Sequence, residues 1–432
     1  MTIRHSSRAP GAPPGPAPWG ARGWALLFVL SGNMVLDAIE VSVVLVALPT
    51  IGTDLGMGLM TVQWLMSGFA LGFAALLLLG PRVHARWGRR RAYLGAMLLF
   101  AVASVVGGLA DGEGLLIATR VVKGFCAALT APTGLAIIST TFREGPQQRR
   151  AVSVYSLFGA AGFTAGVLLS AALLESSWRW TFLFPAPVAV VLLLLGARLI
   201  PEDTGAGAPG PVPEGRPAEA GPRPKSGAAA LLRDGPLVRS ALGAATLNGT
   251  YAGLLLLITF QIQRQLAWSP WQCALALLPA CVPLAVAVPF AGRLVGRFGT
   301  AGLIALGALA PFLGHVLYLW RADAGAYWTG MLPVLLLVET GFVLSFAALN
   351  MQSTSTVRPA DRALAVPLYQ TGVQLGAVLT LPLVALLMTS YDSYRPAVAL
   401  ITAVGAAGLL TALTGLAPRH HHPVPPDGKA RT

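Results

Sequence analysis

Apolar and polar positions alternate along this chain in long blocks. Between residues 24 and 417, twelve apolar stretches are separated by short polar loops. Each stretch runs to about 20 residues, the length of helix that crosses a hydrocarbon core of ~30 Å. The pattern predicts helices near 24–48, 61–79, 92–109, 114–138, 151–173, 181–199, 240–262, 271–291, 301–319, 328–350, 364–389 and 396–417. A large soluble protein can hide one or two such helices, but not a dozen. An all-α polytopic membrane protein follows.

The longest polar interruption is "PEDTGAGAPGPVPEGRPAEAGPRPK", 201–225, in which 12 of 25 residues are Pro or Gly. Such a segment cannot bury enough surface to fold, and it reads as a flexible linker over 201–236. It divides the chain into a basic, Pro-rich tail (1–22), six helices (23–200), the linker, six more helices (237–417) and a second tail (418–432). The tails, like the linker, are expected to be disordered. The basic Pro-rich start runs directly into a first span too long for a signal peptide's apolar region, so no cleavable signal is expected.

Charge fixes the expected orientation. Only 11% of residues are charged, and the formal net charge is +13. A soluble basic protein would suggest nucleic acid, but here the cations sit in alternate loops. Arg82–Arg91, Arg143/Arg149/Arg150, Arg198–Arg239, Arg293/Arg297, Arg358/Arg362 and both tails are basic. The intervening loops carry Asp54, Asp111/Glu113, Glu175/Arg179 and Asp392/Arg395. That alternation predicts cytoplasmic termini and an even number of spans, in the plasma membrane of a bacterium. Cys126, Cys273 and Cys281 fall inside predicted helices without CxxC spacing, so neither a disulfide framework nor a metal site is implied.

The two halves resemble each other. "VQWLMSGFALGFAALLLLGPRVHARWGRR", from Val62, aligns with "WQCALALLPACVPLAVAVPFAGRLVGRFG", from Trp271, and Arg86-Trp87-Gly88 matches Arg297-Phe298-Gly299. Repeats of one orientation place a central site near the midplane at their interface.

Six plus six helices, with a basic loop after the second helix of each half, resemble the major facilitator superfamily. Four stretches resemble its drug:proton antiporter branch: "PRVHARWGRRR" (81–91), "LLIATRVVKGFCAALTAPTGLAI" (115–137), "GFTAGVLLSAALLESSWRW" (162–180) and "IEVSVVLVALP" (39–49). The resemblance implies the major facilitator fold, a cytoplasmic gating loop at Arg86, Gly88, Arg89 and Arg90, and a packing stripe at Gly162, Gly166 and Ser170. Two departures stand out. The loop motif's acid, which helps latch the cytoplasmic side in the family, is replaced by Ala85 and, in the second half, by Gly296. The fifth-helix Pro is replaced by Val167.

Two acids interrupt the first span, Asp37 and Glu40. The resemblance puts the family's first-helix acid at Glu40, nine residues before Pro49, and its fourth-helix Arg at Arg120. Asp37 is an extra acid, and Lys123 stands where Gln is usual. The first helix runs outward and the fourth inward. Their Cα heights therefore place Glu40 opposite Arg120 and Asp37 opposite Lys123, one turn (~4.5 Å) deeper. Each charge gains a partner, as an intramembrane ion requires. Asp37, Glu40, Arg120 and Lys123 are the expected proton-coupling site, because a dry carboxyl's protonation depends on how near its cationic neighbours lie. The bland reading is a static double ion pair.

Glu339 is a third intramembrane acid without an obvious cation in its own half. With Asn33, Gln63, Trp64, Asn248, Tyr251, Gln370 and Gln374 it is a candidate lining residue of a central cavity. Ordinary interhelical hydrogen bonding is the alternative for each. His315 is expected to be a hydrogen-bonded packing residue. Pro279 and Pro283 are expected to let the eighth helix bend.

No GxxxxGK, HExxH or Ser/His/Asp grouping appears, and no soluble segment is long enough for an ATPase, so no cofactor and no enzymatic activity are expected. The resemblance implies a gradient-driven secondary transporter that exports amphipathic compounds in exchange for protons, and the intramembrane acids point to cationic ones among them. It is expected to act as a monomer, with lipid, protons and a small molecule as partners and no nucleic acid. A metabolite uniporter or symporter is the first rival, and a non-transporting receptor or scaffold on this fold is the second.

Overall fold

The computed structural model describes residues 20–142, 146–200, 228–283, 291–322, 326–358 and 361–416. The predicted tails and most of the linker lie outside these. The first half is built from α1 (Ala21–Asp54), α2 (Trp64–Leu77), α3 (Arg89–Gly108), α4 (Glu113–Thr141), α5 (Pro146–Leu174) and α6 (Pro185–Leu199). The second half is built from α7 (Gly235–Phe260), α8 (Pro270–Leu277), α9 (Ala291–Leu319), α10 (Leu332–Ser353), α11 (Arg362–Ser390) and α12 (Arg395–Thr414). Among the described residues, eleven helices are long and apolar enough to cross a membrane. The exception is the expected eighth span. Pro279 lies in a 3₁₀ turn, Leu278–Cys281, that follows α8, and residues 284–290 are outside the description.

Several boundaries move for identifiable reasons. α1 continues through Pro49 to Asp54, because neighbours on both sides bury this stretch and outweigh the lost backbone donor. α7 starts at Gly235, five residues before the apolar run. Asp234 caps it by accepting from Leu237 N at 2.9 Å, with Pro236 in its first turn. Hydropathy alone does not register a cap. The second span is interrupted at Gln63, which separates Leu59–Val62 from α2.

Packing repeats between the halves. α1 lies along α5 and α6, as α7 lies along α11 and α12; α3 packs on α4 and α6, as α9 packs on α10 and α12. Gly88 and Gly299, aligned by the sequence repeat, share one unusual backbone conformation, with φ of 78° and 67°. Both enter the third helix of their half through a turn that only glycine adopts without strain.

The halves meet through α2 against α11 and α5 against α8. We call the end of the bundle where α6 stops and α7 starts the linker face. Each half has its own apolar core on that side, one around Leu27, Tyr93 and Phe142, the other around Leu237, Leu349 and Tyr369. Toward the opposite face a single core runs through both halves, from Val44 and Leu65 to Leu256 and Leu277. Hydrogen bonds also join the halves there: Gln263 Nε2 donates to Val46 O (2.9 Å) and Trp271 Nε1 to Glu175 Oε1 (2.5 Å). The two halves thus share one apolar core at the far face and keep separate cores toward the linker face, where Thr371 of α11 still donates to Ala74 O of α2 (3.5 Å).

Candidate functional site

α1 and α4 carry the charged cluster. Glu40 is 0% exposed, Arg120 1% and Lys123 0%. Glu40 accepts from both cations: Arg120 donates to Oε2 at 2.6 Å and Lys123 to Oε1 at 2.7 Å. Arg120 also donates to the backbone carbonyls of Leu65 (2.7 Å) and Glu40 (3.1 Å). Its guanidinium lies 4.8 Å from the Phe69 ring centroid, and the Lys123 ammonium lies 5.0 Å and 5.4 Å from those of Phe100 and Phe182. Both cations are therefore held by oxygens and ring faces, the contacts a dry ammonium or guanidinium needs.

The expected pairing of Lys123 with Asp37 does not form. Asp37 instead accepts from Asn33 Nδ2 (3.1 Å) and from Thr130 Oγ1 (3.4 Å). The reason lies in side-chain direction, which Cα heights ignore. Side chains lean toward the N-terminus of their own helix. On α1 that tilts Glu40 and Asp37 toward the linker face, and on antiparallel α4 it tilts Lys123 the other way. Lys123 therefore meets Glu40, and Asp37 reaches Thr130, two turns along α4 from Lys123. One acid serves two bases, and the second acid sits in a neutral polar nest.

Gly162, Gly166 and Ser170 pack α5 directly on the same stretch of α1. A Cβ on Gly162 would sit 2.8 Å from Val35 O, and one on Gly166 would sit 2.0 Å from Ser42 Oγ. Ser170 Oγ donates to Val43 O at 2.6 Å. The stripe thus holds the backbone that bears Asp37 and Glu40 from behind.

A second acid site spans the halves. Glu339 on α10 is 7% exposed and lies beside Tyr251 on α7, and its Oε2 is buried without a partner among the described residues. The Tyr251 ring lies 4.9 Å from Phe342 and 6.5 Å from Phe163 of the first half. Cys281 lies beside Thr164 across the same interface. Other cavity candidates have local duties. Asn248 donates to Val373 O (2.9 Å), tying α7 to α11. Gln63 donates to Met60 O and accepts from Ser67, bracing the break before Trp64. Asn33 serves Asp37, while Gln370 and Gln374 are half-buried on α11.

In the basic loop, Arg86 and Arg89 are exposed, and Arg90 donates to Ala197 O (2.6 Å), joining α3 to α6. Ala85 is exposed, and its neighbour His84 hydrogen-bonds Thr133 on α4 (3.1 Å). Sequence reasoning missed Thr130, Phe69, Phe100 and Gln263. Thr130 was within reach of it, lying seven residues from Lys123 on one face of α4; the others carry no local signal.

Two halves that repeat one packing pattern, with charges buried between their helices, make this an all-helical membrane fold. The Major Facilitator Superfamily model matches residues 30–377, and the chain belongs to that family. It is accordingly a multi-pass membrane protein of a transporter family, not an enzyme. The puromycin resistance protein pur8 of Streptomyces alboniger is 40% identical over 190 residues, 44% of this chain and 37% of its own length. The chain thus spans little more than a third of that relative. The lincomycin resistance protein of Streptomyces lincolnensis is 27% identical over 82% of each chain. Among solved structures, a D323A mutant of the nucleoside transporter NupG shares the fold at TM-score 0.69 and 13% identity, covering 92% of this chain and 99% of that one.

Proposed function

We propose that this protein is a proton-coupled exporter of amphipathic organic compounds, built as twelve helices with both termini in the cytoplasm and working as a monomer by alternating access. Relatives named for puromycin resistance, lincomycin resistance and cephamycin export support the export reading. The basic loops support a cytoplasmic linker face, and the shared core at the far face supports a conformation open toward the cytoplasm.

One observation carries the reading: a single dry carboxylate, Glu40, holds Arg120 and Lys123 together. A proton on Glu40 neutralises the one anion that, among the described residues, bonds both cations, and frees α4 to move against α1. Loss of that proton restores the grip. Asp37, one turn toward the linker face and without a bonded cation, is placed to pass the proton between Glu40 and the cytoplasm. Each proton entering the cell gains ~2.3 kcal/mol per 100 mV of membrane potential, which drives the exchange. Glu339, with its free oxygen beside Tyr251 and Phe342, is a contact for a cationic, ring-bearing cargo.

Everted vesicles with an acidified lumen test this. A substrate added outside should be taken up in exchange for lumenal protons, collapsing the pH gradient reported by an acridine dye. The substrate is found first with a drug-susceptibility panel in a pump-deleted host. Retention of gradient-driven uptake by both Glu40→Gln and Asp37→Asn refutes the coupling role.

A further inference from the structure

His315 on α9 is 0% exposed, and neither ring nitrogen has a hydrogen-bond partner among the described residues. The sequence led us to expect a bonded packing residue. A neutral imidazole has one donor and one acceptor, and leaving both unmade in a dry bundle is costly. Among the described residues nothing completes them, and water is the partner that a polar route would bring.

The surroundings supply a route. Two small cavities lie end to end within the second half, between α7, α9, α10 and α12, and they share Gly243, Ile304, Leu349 and Ala412. The first begins at Arg239 and Gln352 on the linker face; the second ends at Pro311 and Gly405. Gly405 is the point of contact, since a Cβ there would lie 3.3 Å from His315 Nδ1. Pro311 is one turn before His315 on α9. The lining positions step one turn at a time along all four helices, so the two cavities form one column. At 1.5 Å per residue its α9 wall runs roughly 15 Å from Ala301 to Pro311, one turn short of His315.

The column is polar where water needs it to be. Thr246, Thr250, Ser345 and Thr411 each donate to a carbonyl of their own helix. Each oxygen therefore keeps lone pairs that can accept from water. The deeper cavity has room for about two or three waters and the outer one for about one.

We propose that this column is a hydrated path that connects the cytoplasm to His315 and makes its imidazole an internal proton-exchanging group of the second half. The cytoplasmic end rests on the orientation proposed above. On the elements packed against α9, the titratable or charged groups are Glu339 on α10, beside Tyr251 of α7; Arg395 at the start of α12; Tyr327 before α10; and Arg239 at the mouth. None of them bonds His315. The imidazole thus exchanges protons with water rather than with a fixed partner.

Two measurements on the full-length protein test this, and neither needs a transport substrate. In a background with Cys126, Cys273 and Cys281 replaced by Ala, Thr246→Cys and Thr250→Cys are treated in everted vesicles with a small charged methanethiosulfonate. Both should react at least about tenfold faster than Leu410→Cys, which is 65% exposed on the lipid side, because the thiolate forms only in contact with water. Equal rates overturn the path. Separately, deuterium exchange at the imidazole C2–H is followed by mass spectrometry, with His84 as internal reference. His315 should exchange, with a rate that follows a titration curve over pH. Absence of exchange while His84 exchanges overturns the proton role. If no compound is ever transported but both results hold, the exporter reading fails and the hydrated path stands.

Discussion

Glu40→Gln is the most informative single change in this protein. Glutamine keeps the shape and one acceptor oxygen but removes the charge that Arg120 and Lys123 share. Both cations are at most 1% exposed, so neither can turn to water. Arg120 keeps its bonds to the Leu65 and Glu40 carbonyls; Lys123 keeps only the faces of Phe100 and Phe182 and at best one neutral amide oxygen. Breaking a buried pair in this way costs about 3–5 kcal/mol, because an uncompensated charge is left behind. Removing a base instead has a different outcome. Lys123→Met leaves Glu40 paired with Arg120 and replaces a dry ammonium with an apolar chain, so stability should hold or rise. The double variant Glu40→Gln/Lys123→Met should therefore recover part of what Glu40→Gln loses, a coupling of about 1–3 kcal/mol. Thermal unfolding of the purified protein in detergent ranks the four. Wild-type stability in Glu40→Gln, or a double variant no better than Glu40→Gln, refutes the shared-carboxylate account.

Three further outcomes follow from the packing. Gly166→Ala forces a Cβ to within 2.0 Å of Ser42 Oγ and should lower stability by about 1–3 kcal/mol, while Gly114→Ala, with no atom within 4 Å, should be tolerated; thermal melts of the pair check this. Ala at Gly88 or Gly299 must adopt positive φ, at about 1–2 kcal/mol each, and both should lose stability similarly if the repeats are structurally equivalent. Trp271→Phe removes the indole bond to Glu175 and loosens the far-face closure, so a cysteine at Gln263 should label faster from outside than in the wild-type background; an unchanged rate argues against that bond as a clasp.

Much of this was legible in the chain itself. Span length follows from membrane thickness, and the duplicated block around Arg86 and Arg297 announced two equivalent halves, seen again in the matched glycine turns. Glu40 and Arg120 were identifiable because an ion in an apolar run demands an explanation. The error came at Lys123 and Asp37, where Cα height was taken for side-chain position. Helix starts set by caps rather than by hydropathy, as at Asp234, were likewise misplaced.

The amino-acid order alone determined that the chain forms many long apolar helices and which acids and bases lie in them. Each of those depends on local composition and on the energy of leaving water. Only tertiary structure decided which groups touch: two cations on Glu40, a neutral nest for Asp37, a tyrosine for Glu339, an unbonded His315 at the end of a polar column. Such contacts depend on the tilt and direction of one helix against another, and no local stretch of residues encodes that.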